Sequence, residues 1–123
     1  MKLVDTSAWI HSLRPDGDPA VAGRVRAALE MGDAVWCAMI RLELWNGARG
    51  EREKAVLRDM EATIPDLDIT PAVWQLAMRL AREARGKGLT IPSTDMLVAA
   101  CARQYGAELE HADAHFAQIA NLS

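Results

Sequence analysis

Two hydrophobic periods alternate along the chain. Leu3-Val4 is a short apolar run that meets Asp5, and the hydroxyl residues Thr6 and Ser7 follow directly. Such a run reads as a buried strand, and Thr6-Ser7 as the opening of a helix reaching about Leu13. The stretch Pro15-Asp16-Gly17-Asp18-Pro19 ends it, and Asp18-Pro19 reads as a cap with proline in the first turn of a second helix. Val21, Val25, Ala28 and Leu29 give that helix an apolar face, and Gly32-Asp33 closes it. Ala34-Val35-Trp36-Cys37 is a second apolar run, as expected of a strand covered on both faces.

The spacing then predicts helices from about Met39 to Ala48 and from about Glu51 to Ala62. Ile64 to Ile69 is a candidate edge strand, since Pro65 cannot donate to a ladder. Thr70-Pro71 starts a long helix with Val73, Trp74, Leu76, Ala77, Leu80, Ala81 and Ala84 on one face, and Gly86-Lys87-Gly88 stops it. Pro92-Ser93-Thr94 opens a further helix that runs to Tyr105. Gly106 turns the chain into a strand around Glu108 to His111, and a last helix covers about Ala114 to Ala120. Strands alternating with helical stretches indicate an α/β fold. The expectation is one domain over residues 1–123, with a central, mainly parallel sheet of four to five short strands flanked by helices on both faces.

Composition changes this picture little. Half of the 123 residues are hydrophobic, enough for one compact core. No apolar run approaches the roughly 20 residues of a membrane span, so no membrane association is expected. The first apolar run is broken at Asp5, which argues against a signal peptide. Cys37 and Cys101 lack metal-site or CxxC spacing and read as reduced core thiols of a cytoplasmic protein. The formal charge of −3 becomes +1 once four carboxylates are set aside under a metal, so net charge decides nothing about partners.

Four acids stand out. Asp5 and Asp113 fall at strand-to-helix junctions, at the edge of a parallel sheet where ligands bind in open α/β folds. Asp95 falls in the first turn of its helix. Each also has an ordinary use as a cap or as a charge favoured by the helix dipole. Glu43 is harder to explain in that way. Its helical neighbours Met39, Ile40, Asn46 and Gly47 include no cation, and Arg41 faces elsewhere. A half-buried carboxylate without a partner is costly. Four carboxylates at one sheet edge repel, and an oxygen-only cluster suits a hard cation such as Mg²⁺ or Mn²⁺. Metal-assisted phosphodiester hydrolysis is chemistry that such a cluster supports.

Leu3-Val4-Asp5-Thr6-Ser7-Ala8-Trp9, Arg41-Leu42-Glu43-Leu44-Trp45-Asn46-Gly47-Ala48-Arg49, Ile91-Pro92-Ser93-Thr94-Asp95-Met96-Leu97-Val98-Ala99-Ala100 and His111-Ala112-Asp113-Ala114-His115-Phe116 resemble, in this order, the motifs of PIN-domain ribonucleases. The short chain looks most like the VapC toxins of bacterial toxin–antitoxin pairs, and the likeness covers nearly its whole length. The resemblance implies that Asp5, Glu43, Asp95 and Asp113 hold Mg²⁺ or Mn²⁺ for hydrolysis of RNA, with tRNA or rRNA the usual targets. Thr6 or Ser7 matches a hydroxyl position that helps order such a site. It further implies a cognate VapB-type antitoxin and a homodimer. The rival reading is a non-catalytic RNA- or protein-binding domain of the same fold.

The last motif departs from the family's usual Asp-x-Asp-Phe, because His115 replaces the second acid. A neutral imidazole compensates an acidic Mg²⁺ site poorly, so no metal role is expected of His115. Glu108 and Glu110 suggest an exposed edge strand or a face covered by a partner. Arg79, Arg82, Arg85 and Lys87 read as a solvated helix face or as a track for RNA phosphates. Trp36 and Trp74 are expected in the core, while Trp9 and Trp45 fit either the core or a groove for an antitoxin helix. An aspartyl phosphatase of the haloacid-dehalogenase type would need a second aspartate where Ser7 stands. A response-regulator receiver would need a paired acid near the start and a late lysine; neither is evident.

Overall fold

The computed structural model describes all residues, 1–123. The chain begins with strand β1 (Lys2–Val4), whose Leu3 and Val4 are completely buried. Helix α1 (Thr6–Leu13) follows at once, and α2 (Pro19–Glu30) packs against it. The turn between them depends on close approach. A Cβ on Gly17 would lie 2.0 Å from the His11 carbonyl oxygen, so only glycine fits there. His11 Nδ1 accepts the Asp18 backbone N–H at 2.9 Å, and the Asp18 side chain in turn caps α2 through Ala20 N.

Strand β2 (Ala34–Val35) leads into α3 (Ala38–Asn46) and α4 (Gly50–Thr63). Helix α5 (Pro71–Gly86), started by the Thr70 hydroxyl and Pro71, packs along α6 (Ser93–Tyr105). Gly106, left-handed at φ 63°, ends α6 and feeds strand β3 (Glu108–Glu110), and α7 (His115–Ala120) completes the fold. The sheet has the order β2-β1-β3, and both pairings are parallel. Parallel neighbours require helical crossovers, which α1–α2 and α3–α6 provide.

The α/β architecture with helices flanking a parallel sheet is as expected, but the sheet has three strands rather than four to five. The segment around Asp66 forms one isolated bridge to Trp36, held by Trp36 N to Pro65 O at 3.1 Å and Leu67 N to Trp36 O at 2.7 Å. Pro65 has no N–H to extend the ladder, which stops after one step.

The core is one cluster of 31 buried residues. α6 is its centre, with every residue from Asp95 to Ala102 buried. Trp9 and Trp36 meet edge to face at 6.1 Å between ring centroids, a contact worth about 1 kcal/mol beyond burial. Trp74 does not join them and is 45% exposed. α5 buries the row Val73, Ala77, Leu80 and Ala84, and Trp74 lies one position round, on a flank shared with exposed Met78. Cys37 and Cys101 are buried free thiols. The two acids of β3 are accounted for: Glu110 pairs with Arg24 of α2 at 2.5 Å, and exposed Glu108 lies 4.0 Å from Lys2 on the neighbouring strand. No helix is long and apolar enough to cross a membrane.

Candidate metal centre

Because β1 and β3 are adjacent and parallel, their C-terminal ends bring Asp5 and the His111–Asp113 segment together. The pairing continues one step past β1, with Asp5 N donating to Glu110 O at 2.9 Å. Asp5 is 3% exposed and caps α1 through Oδ2, which accepts Ser7 N at 3.0 Å and Ser7 Oγ at 2.7 Å. Both contacts fall on one oxygen, and Oδ1 receives no donor. The cap and the site are therefore compatible uses of the same carboxylate. Ser7 Oγ also accepts the Ala112 backbone N–H at 3.0 Å, tying the start of α1 to the loop after β3.

Glu43 reaches this edge from α3 and takes the Thr6 hydroxyl on Oε1 at 2.9 Å. Arg41 is engaged elsewhere, 3.4 Å from Glu61 and 3.0 Å from Asp66. Burial raises the Glu43 carboxyl, the Thr6 hydrogen bond partly lowers it again, and the nearby Asp5 charge adds to the rise. Asp95, 9% exposed in the first turn of α6, is pushed up to about 6 by burial and then by the charges of Asp113 and Asp5. Asp113 accepts the His115 backbone N–H on Oδ1 at 2.9 Å, which fixes its carboxylate at the start of α7.

The most compact part of the cluster is Asp95, Asp113 and His115, whose candidate ligand atoms lie within 4.8 Å of one another. Asp5 and Glu43 stand outside that set; the Asp5 charge acts on both Asp95 and Glu43, which links the two halves of the cluster. His115 apart, no basic side chain pairs with any of the four acids. Asp95 Oδ2 is buried without a hydrogen-bond partner. A buried carboxylate oxygen with no donor, surrounded by like charge, fits a divalent cation with oxygen preference. The expected quartet and both hydroxyls thus gather at one edge of the sheet. Sequence reasoning singled out His115 without its contacts and passed over His111: His111 Nδ1 accepts the Asp113 N–H at 3.3 Å, and His115 Nδ1 faces two carboxylates. The spacing of His111, Asp113 and His115 at two-residue intervals was the available signal.

Residues 2–122 match the PIN domain. The chain belongs to the PIN-domain family. It is 35% identical to VapC ribonuclease Mb1587 of Mycobacterium bovis, an alignment that spans 100% of this chain and 94% of the relative. Among solved structures, its fold matches VapC20 of Mycobacterium tuberculosis, a sarcin-ricin loop cleaving toxin, with a TM-score of 0.72 at 19% identity over 100% of this chain and 97% of that one. It also matches VapBC-5 of Mycobacterium tuberculosis, a member of the VapBC family of toxin–antitoxin systems, with a TM-score of 0.67 at 18% identity over 98% and 91% of the two chains. The level of identity to VapC ribonuclease Mb1587 over the full alignment sets this PIN domain among the VapC-type members of the family.

Proposed function

We propose that this PIN domain, spanning residues 1–123, is a metal-dependent endoribonuclease and the toxin of a VapBC-type pair, acting in the cytoplasm. The observation that carries the reading is the convergence of four carboxylates from distant parts of the chain with no lysine or arginine among them. Support also comes from the ribonuclease and toxin descriptions of its relatives.

Asp5, Glu43, Asp95 and Asp113 would hold Mg²⁺ or Mn²⁺, which when bound lowers the pKa of water and offsets charge on a phosphate. The chain itself orders the acids. Thr6 donates to Glu43 and Ser7 donates to Asp5, so each hydroxyl fixes one carboxylate without neutralising it. Glu43, raised by burial, is suited to hold a proton transiently on the oxygen that Thr6 leaves free. Exposed Arg79, Arg82 and Arg85 on α5 have no acidic partner and are suited to the phosphates of a structured RNA such as tRNA or rRNA.

Two protein partners belong to this reading. A VapB-type antitoxin fits the groove of about 650 Å³ between α1, the end of α2 and α4, where Arg14, Arg49 and Arg52 border Leu13, Leu29 and Val56. A second copy of the chain fits the exposed apolar flank of Trp74 and Met78, which continues to Met39. The test of function is cleavage of labelled total RNA with Mg²⁺ or Mn²⁺, beside an EDTA control and Asp5→Asn. Metal-dependent cleavage lost in the variant supports the nuclease. RNA binding without cleavage by the native chain overturns it in favour of a binding module.

A further inference from the structure

His115 stands where the resemblance leads one to expect a second acid, and its placement is unusual. Nδ1 lies 2.9 Å from Asp113 Oδ1 and 3.2 Å from Asp95 Oδ2. Yet Nδ1 is buried and makes no hydrogen bond, and neither does Asp95 Oδ2. The contacts are short in distance and misaligned in angle. An imidazolium serving as resident counter-charge would turn its N–H onto one carboxylate, the in-line geometry that makes such bonds strong. Here the in-plane direction of Nδ1 has no protein partner.

We infer that the His115 imidazole is a nitrogen ligand of the divalent ion and shifts the preference of the site from Mg²⁺ toward Mn²⁺; this rests on the four acids being a metal centre. Ligand atoms about 2.1 Å from one octahedral ion stand about 3 Å apart along each edge. The observed separations of 2.9 and 3.2 Å have that value. The His115 backbone N–H also binds the same Asp113 Oδ1 at 2.9 Å, so the carboxylate and the backbone that carries the imidazole belong to a single turn. Mg²⁺ binds oxygen almost exclusively, whereas Mn²⁺, which shares its liking for carboxylates, accepts an imidazole nitrogen more readily than Mg²⁺ does. An acid replaced by imidazole at an otherwise all-carboxylate site therefore alters which ion is held rather than whether one is held.

The experiment uses the full chain stripped of metal, pulsed EPR of the Mn²⁺-loaded protein, and calorimetric titration with Mn²⁺ and Mg²⁺. The expected spectrum contains a ¹⁴N coupling from a directly bonded imidazole, which becomes a ¹⁵N pattern when the histidines are labelled. His115→Ala loses the coupling and His111→Ala retains it. In His115→Asp, which exchanges nitrogen for oxygen, the preference for Mn²⁺ over Mg²⁺ falls about tenfold. Mn²⁺ bound without nitrogen coupling, or an unchanged preference in His115→Asp, overturns the role of His115 and leaves the acidic centre standing. A folded native chain that binds no Mn²⁺ overturns the centre itself. Should the variants melt early, the labelled native protein alone decides.

Discussion

The Thr6 hydroxyl donates to Oε1 of Glu43 at 2.9 Å across 37 positions of sequence. It is the one donor that holds a carboxylate raised by burial closer to its ordinary range. Thr6→Val removes the donor with little change in volume, so the Glu43 carboxyl rises further. The ionised Glu43 is the working form, so activity is lost as pH falls through its pKa, and raising it moves the acid limb of the rate profile to higher pH. We expect cleavage on the acid limb to slow by about tenfold, the scale of a hydrogen bond to a charged group. Thr6→Ser should restore most of the rate. A Thr6→Val profile that overlays the native one rules this role out.

Ser7 has a different balance. Its Oγ both donates to Asp5 and accepts from Ala112 N, so it joins α1 to the segment following β3. Ser7→Ala should lower stability by about 1–2 kcal/mol as well as slowing cleavage. Urea unfolding beside pH–rate profiles separates the two residues: Thr6→Val should move the acid limb, and Ser7→Ala should lower stability without moving it.

Asp95 makes the metal-free protein less stable as pH rises. Its carboxyl lies at about 6 in the fold against an ordinary 3.8. Between those values the folded chain keeps a proton that the unfolded chain has released, so stability falls as pH climbs through that window. Above it the cost is about 3 kcal/mol, the free energy of a shift of this size. Asp95→Asn should therefore melt several degrees above the native chain in EDTA at pH 7.5, and close to it at pH 4. Calorimetry across pH 4 to 7.5 tests the sign, and an equal difference at both ends would contradict it.

Divalent ions should reverse that penalty. Saturation at about 100 times Kd adds about 2.7 kcal/mol. Melting in Mn²⁺ against EDTA should show the gain in the native chain and lose most of it in Asp113→Asn. A shift of the same size in the variant would place the ion elsewhere.

The flank of Trp74 and Met78, 45% and 55% exposed, is the proposed seat of a second copy. We expect the native chain to sediment as a dimer; Trp74→Asp leaves the buried row of α5 untouched, so the variant should fold normally and sediment as a monomer. A native chain that is monomeric at high concentration would remove the basis for this assignment.

Much of this arrangement was legible because each acid lies beside a strong local signal. Thr6-Ser7 after Leu3-Val4, Pro92-Ser93-Thr94 before Asp95, and Gly106 before Glu108 mark where helices begin or end, and α1 and α6 keep the expected bounds. Glu43 was legible from what its helical neighbours lack. Less visible was anything decided by pairing across the chain. Around Asp66 the apolar pattern suggested a strand, but Pro65 limits it to a single bridge. Trp74 shares its helix with a wide apolar arc, and periodicity alone does not say which side of such an arc meets the core. The side-chain direction of His115 depends on a turn that no spacing rule describes.

Strand β1 lies between partners drawn from very different distances along the chain, β2 some thirty residues on and β3 more than a hundred. During synthesis its second edge stays unpaired, and the acids remain dispersed, until Glu108 to Asp113 have cleared the ribosome. A polypeptide interrupted before that point holds Asp5, Glu43 and Asp95 but has nothing to draw the fourth acid to them. The order of emergence therefore makes the complete acidic cluster one of the last features the fold acquires.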